Sequence, residues 1–309
     1  MIEAHGLSKR YGPVVAVDDL TFTVAAGQVT GFLGPNGSGK STTMRMIVGL
    51  DTPSDGSVTV GGRSYGSLRF PLHEVGALLD ANAAHPGRKA RNHLNWLADS
   101  NAIPRRRVDE VLSVVGLTEA AHRRAGDLSL GMGQRLGIAG SLLGDPAVLI
   151  LDEPINGLDP EGILWMRHLL RSLADEGRTV LVSSHLMSEM ALTADHLIII
   201  GKGRLLSSGP VAEFIERSGG HHVKVLTPDA DALAQVLRLK GATVTTGGPQ
   251  ELSVQGLESR DVGILASGAG LTLYELSTQR ASLEDAFMEL TREHADHQSA
   301  GASRQASAA

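Results

Sequence analysis

Apolar and polar residues alternate through residues 2–30, and the alternation then gives way to short unbroken apolar runs. Period-two alternation marks strands with one buried face, so this stretch reads as antiparallel strands, Ile2 to His5 and Leu20 to Val24 among them. Val29 to Leu33, Val148 to Leu151, Thr179 to Ser183 and Leu197 to Ile200 are continuous instead. Strands buried on both faces of a parallel sheet read that way. Thr43 to Leu50 and Glu161 to Glu176 read as helices, and Asp51 to Gly56 is a turn cluster leading into a strand over Ser57 to Val60. From Leu72 to Asp145 the character changes. A strand at His73 to Leu79 and a loop at Ala81 to Gly87 precede short helices expected at Ala90 to Ser100, Arg106 to Val115 and Thr118 to Arg123. A last helical element, from Leu128 to Leu143, completes a helical insertion. Gly201-Lys202-Gly203 makes a strand-turn-strand unit of Leu197 to Ser207.

Ser218-Gly219-Gly220 reads as a linker into a second module. The runs His222–Leu226, Ala230–Lys240, Thr243–Thr245, Glu251–Val254, Ser259–Ala266 and Leu271–Leu276 give the order strand-helix-strand-strand-helix-strand, a ferredoxin-like βαββαβ pattern. Ser282 to Arg292 reads as a closing amphipathic helix, and residues 293–309 as a small, polar, disordered tail.

With 42% hydrophobic and 20% charged residues, the 309-residue chain has the means for a sizeable core. A formal net charge of −6 argues against a nucleic-acid partner, and 3% aromatics leaves few stacking platforms for bases. No cysteine is present, which rules out disulfides and thiolate zinc sites. The N-terminus lacks the pattern of a signal peptide, and no apolar run approaches the length of a membrane span. Work at a membrane would require another chain to cross it.

The sharpest chemical signal is Gly34-Pro35-Asn36-Gly37-Ser38-Gly39-Lys40-Ser41-Thr42, set between a buried strand and a helix. Glycines let successive backbone N–H groups curl into an anion-binding nest, and the helix N-terminus adds unpaired donors facing the same phosphates. Lys40 can reach the terminal phosphates of a nucleoside triphosphate, and the Ser41 hydroxyl can ligate Mg²⁺. Asp152 and Glu153 end the Val148 strand, at the edge where ligands bind open α/β sheets. Asp152 can hold Mg²⁺ and Glu153 can act as general base on the attacking water. His185, after another strand, can hydrogen-bond the γ-phosphate. The His221-His222 pair has no third ligand nearby in sequence and reads as surface.

In that order, these residues resemble the ATP-binding subunit of ABC transporters over residues 1–217. Gly34 to Thr42 is similar to Walker A and Val148 to Glu153 to Walker B. Asn156-Gly157-Leu158-Asp159 is similar to the D-loop and His185 to the switch histidine, while Ser129, Leu130, Gly131 and Met132 sit at the signature. The resemblance implies that Tyr11 stacks on adenine and that Glu153 and His185 are catalytic. It also implies that the signature residues act in trans, in a dimer of two copies around ATP and Mg²⁺. Two positions depart from the pattern: Leu130 stands for a glycine and Met132 for a glutamine. Asp80 occupies the position of the Q-loop glutamine and is a further metal candidate, though a carboxylate only accepts hydrogen bonds. The variant signature and the segment Ser282 to Thr291 resemble the drug and antibiotic exporter branch of the daunorubicin-resistance type.

The implied fold is an α/β P-loop NTPase of ABC type, a mixed sheet core with an antiparallel β subdomain and a helical subdomain at about 85–145. A small α+β module is expected at 221–291. The implied function is ATP hydrolysis that energises export through a separate transmembrane permease, with the chain peripheral on the cytoplasmic face of the membrane. The rival readings are an ABC ATPase not coupled to transport and a regulatory subunit that uses ATP only as a switch.

Overall fold

The computed structural model describes residues 1–81, 83–217, 221–280, 283, 284 and 287. The expected linker at 218–220, most of the closing helix and the tail lie outside them. The chain divides into two compact units, residues 1–210 and 211–309.

The first unit begins with strands β1 (Ile2–Tyr11) and β2 (Val14–Val24), followed by β3 (Gln28–Leu33) and helix α1 (Lys40–Ile47). Next come β4 (Asp55–Val60), β5 (Val75–Leu78), α2 (Ala90–Ser100), α3 (Arg106–Val114) and α4 (Leu130–Leu142). The unit closes with β6 (Val148–Asp152), α5 (Pro160–Asp175), β7 (Thr179–Ser184), α6 (Met187–Thr193), β8 (His196–Gly201) and β9 (Arg204–Pro210). β2, β1 and β4 form a three-stranded antiparallel sheet. The other six strands form a mixed sheet in the order β5-β6-β7-β3-β8-β9, parallel except for the final hairpin.

The two periodicities sort the strands as physics requires. β6, β7 and β8 are buried nearly throughout, whereas β1 and β2 bury one face. That face supplies Ile2, Leu7, Leu20 and Phe22 to a core shared with Phe32, Met44, Ile47, Ile150, Leu181 and Ile198. Phe22 and Phe32 meet with ring centroids 5.7 Å apart. The helical insertion leaves the sheet at β5 and returns at β6, its immediate neighbour.

Thr118 to Arg123 is not the helix its composition suggests but a run of turns. The carbonyls of Ala121 and Arg123 accept the N–H groups of Arg91 and Ala90 at 2.9 and 3.0 Å, satisfying the start of α2 instead of a helix of their own. Six residues closing three-residue turns offer too few bonds to offset helix nucleation.

The second unit comprises α7 (Val211–Arg217), β10 (His221–Leu226), α8 (Ala230–Leu239), β11 (Thr243–Gly248), β12 (Glu251–Gln255), α9 (Ser259–Gly268) and β13 (Glu275–Arg280). The antiparallel sheet order is β11-β12-β10-β13. Val223, Val225, Leu252 and Val254 from the sheet pack with Leu233, Leu237 and Val262 from the helices. The last strand starts later than the Leu271–Leu276 run implies. The Leu271 N–H closes α9 on the Ala266 carbonyl, and the Tyr274 N–H donates to the Leu226 carbonyl, so residues 271–274 are spent on the connection.

Candidate functional site

β3 ends at Leu33, and the chain turns through Gly34 to Gly39 before α1 begins at Lys40. The turn can close only on glycine at Gly39: φ there is 103°, and a β-carbon would lie 2.6 Å from the Ala16 carbonyl oxygen. α1 has no side-chain cap at its start, so its first N–H groups face the cleft without a capping side chain. Lys40 is buried, with Nζ donating to the carbonyls of Gly34 at 2.6 Å and Pro35 at 3.3 Å. Burial lowers its pKa, and the nearby charges of Glu153 and Asp152 oppose that shift.

The loop shares a cleft of about 440 Å³ with the ends of two neighbouring strands. Asn36, Gly37, Gly39, Lys40, Ser41 and Thr42 line one side, and Asp80, Asp152, Glu153, Gln134 and Leu130 line the rest. Ser41 Oγ donates to Asp152 Oδ2 at 2.7 Å. The other oxygen of Asp152 accepts from Ser183 Oγ, and Ser183 in turn accepts the Glu153 N–H at 2.9 Å. Glu153 has a left-handed backbone, φ 49°, and its Oε2 lies 2.8 Å from His185 Nδ1.

Not every expected site residue reaches this cleft. Tyr11 ends β1; its hydroxyl donates to Asp51 at 2.8 Å, and the Lys9 ammonium lies 5.1 Å from its ring centroid. Its pKa is raised, chiefly by the hydrogen bond to Asp51, with burial and the Asp51 charge adding. Ser129 caps α4, its Oγ accepting the Met132 N–H at 3.3 Å, and the Met132 sulfur lies 3.9 Å from the Arg123 guanidinium. Asp159 caps α5 through the Gly162 N–H at 2.8 Å. Gly131 packs against the Gly157 carbonyl, and Leu130, 60% exposed, lies against Gly157 itself.

Two contributors escape motif reading. Ser183 is fully buried near the C-terminal end of β7, and Gln134 is 3% exposed with Nε2 donating to the Glu153 carbonyl at 3.1 Å.

A glycine loop clasped between a parallel strand and a bare helix start, its hydroxyl bonded to a strand-end carboxylate, is the phosphate-binding apparatus of P-loop NTPases. The comparisons narrow this class. Residues 17–156 match the family model for ABC transporters, and residues 221–284 match a family described as a domain of unknown function. An uncharacterized ABC transporter ATP-binding protein of Bacillus subtilis is 38% identical over 297 residues, covering 95% of this chain and 96% of that one. A bacitracin transport ATP-binding protein of Bacillus licheniformis is 41% identical over 71% of this chain and 72% of its own. The Nod factor export ATP-binding protein I of Rhizobium leguminosarum bv. viciae is 34% identical over 94% of each. A solved ATP-binding subunit of an ABC transporter superposes with TM-score 0.65 and 25% identity, over 71% of this chain and 93% of that one. The chain belongs to the ABC transporter ATP-binding proteins, a family of ATPases.

No helix among the described residues is long and apolar enough to cross a membrane.

Proposed function

We propose that this ATPase energises export through a separate transmembrane permease, with Gly34 to Thr42 cradling the triphosphate and Glu153 activating water. The observation that carries the reading is the convergence of Ser41, Asp152 and Glu153 on the phosphate-loop cleft, with His185 bonded to Glu153. His185, bonded to Glu153, would steady the carboxylate and report on the γ-phosphate. The donors also suit Mg²⁺: a hydroxyl and a carboxylate oxygen stand 2.7 Å apart at the helix start. Among the described residues no cluster of three or more His, Cys, Asp or Glu could cage a metal. Ser41 and Asp152 would therefore hold the cation together with phosphate oxygens and water, the usual mode for Mg²⁺. Bound there, Mg²⁺ would neutralise charge developing on the β- and γ-phosphates.

Tyr11 is assigned to the adenine and Asp159 to the D-loop. Ser129, Gly131 and Met132 do not line the chain's own cleft, which supports their use by a second copy in a dimer. The name of the bacitracin transport relative supports coupling to transport, and that of the Nod factor export relative supports export as the direction. The chain would then sit peripherally on the cytoplasmic face. Glu153→Gln should keep ATP binding and lose most phosphate release; undiminished ATPase activity would overturn the base assignment. The transport half is tested separately. The chain should co-purify with an integral membrane protein from detergent-solubilised native membranes, and its recovery without one would overturn that half.

A further inference from the structure

Glu153 is fixed at three points, only one of them through its side chain. The side chain meets His185, but the backbone is also held on both sides. Its N–H donates to Ser183 Oγ at 2.9 Å, and its carbonyl accepts from Gln134 Nε2 at 3.1 Å. Both partners are buried, at 0% and 3% exposure. The Ser183 hydroxyl has one proton, and that proton goes to Asp152 Oδ1, leaving its lone pairs to receive the Glu153 N–H. One hydroxyl therefore sets the carboxylate of Asp152 and the backbone of Glu153 together. Register makes this possible, because Ser183 stands directly opposite Asp152 across β6 and β7.

The clamp has something to hold. Glu153 has φ 49°, a left-handed conformation that residues other than glycine avoid. Free of both bonds, the backbone would relax and swing the carboxylate away from the phosphate loop. A general base must stand within hydrogen-bond reach of its water, so a small displacement costs much of the rate.

We propose that Ser183 and Gln134 are positioning residues that lock the strained backbone of Glu153 and so aim its carboxylate. The proposal rests on Glu153 being the base. Because Gln134 lies on α4, the helical insertion contributes to the aim of a carboxylate on the sheet.

The test uses the full chain, with phosphate release for kcat and KM, calorimetry with ATP for affinity, and thermal melting for folding. Ser183→Ala should lower kcat about ten- to a hundredfold, the usual effect of a lost hydrogen bond to a charged or catalytic group, with KM and ATP affinity within about twofold. Ser183→Thr, which keeps the hydroxyl, should restore most of the rate. In a Glu153→Gln background, Gln134→Leu, which leaves the Asp152 bond intact, should lower the residual rate no further, because Gln134 and Glu153 act as a unit. Should Ser183→Ala fail to fold, Gln134→Leu takes its place with the same expectations for kcat and KM. Wild-type kcat in the single variant, a parallel loss of ATP affinity without rescue by threonine, or a further loss in the double variant would each overturn the clamp. Wild-type turnover in Glu153→Gln alone would instead overturn the base assignment on which the clamp rests.

Discussion

Gly157→Ala isolates the packing between two segments that the family pattern assigns to opposite roles, the signature and the D-loop. Gly157 has φ 75°, and a β-carbon there would overlap Leu130 Cγ and Cδ2 and approach its Cβ to 3.3 Å. Two penalties follow, and they are separable. The left-handed backbone costs an alanine about 1–2 kcal/mol whatever its neighbours. Overlap with a packed side chain adds about 1–3 kcal/mol. Leu130 is 60% exposed, so it can rotate away at the loss of its contact with the glycine, which places the total at about 2–4 kcal/mol. In a Leu130→Ala background only the backbone penalty should remain, about 1–2 kcal/mol. The two tryptophans, Trp96 and Trp165, both lie in the first unit, so intrinsic fluorescence follows its unfolding separately from the second. For a unit of this size each kcal/mol moves the melting temperature by about 2–4 °C, so the coupling is measurable. Additive effects, within about 0.5 kcal/mol, would refute the claim that Leu130 seats on Gly157.

Lys40→Ala should weaken ATP binding by about 1.5–3 kcal/mol, the range for hydrogen bonds to charged groups, and calorimetry would detect unchanged affinity as a contradiction. Asp51 gives a pH-dependent expectation. Hydrogen bonds from Arg45, then Tyr11, hold its carboxyl below the ordinary carboxylate value. A depressed folded pKa contributes stability above the unfolded value and loses it as pH falls through the folded one. Asp51→Asn should therefore melt lower than wild type at neutral pH, and the gap should close as the pH falls below about 4. A gap that persists unchanged into acid would show that the ionised carboxylate is not the source.

The sequence displayed the core of the site because its chemistry demands particular residue types at fixed spacing. Only glycine serves at Gly39, and only buried strands read as the unbroken runs that deliver Asp152 and Ser184 to one edge. Contacts between segments distant in sequence were not visible. Ser183 reads as one of several polar residues in its strand until the register sets it beside Asp152, and Gln134 reads as one more polar helix residue. The failed helix at Thr118 to Arg123 has the same origin. Its local composition favours a helix, but its carbonyls were claimed by α2, some 30 residues earlier.

The departure and return of the helical insertion at β5 and β6 make it a graftable part. Neighbouring strands lie about 4.8 Å apart, so the two ends of this long excursion are separated by a single strand spacing at the margin of the sheet. A replacement of different length or helix count that matches that gap would join the sheet without moving the strands that flank it. The exchange has fixed requirements in this chain: the new arm must still present an amide to the carbonyl of Glu153 and carry the signature residues at the start of its last helix.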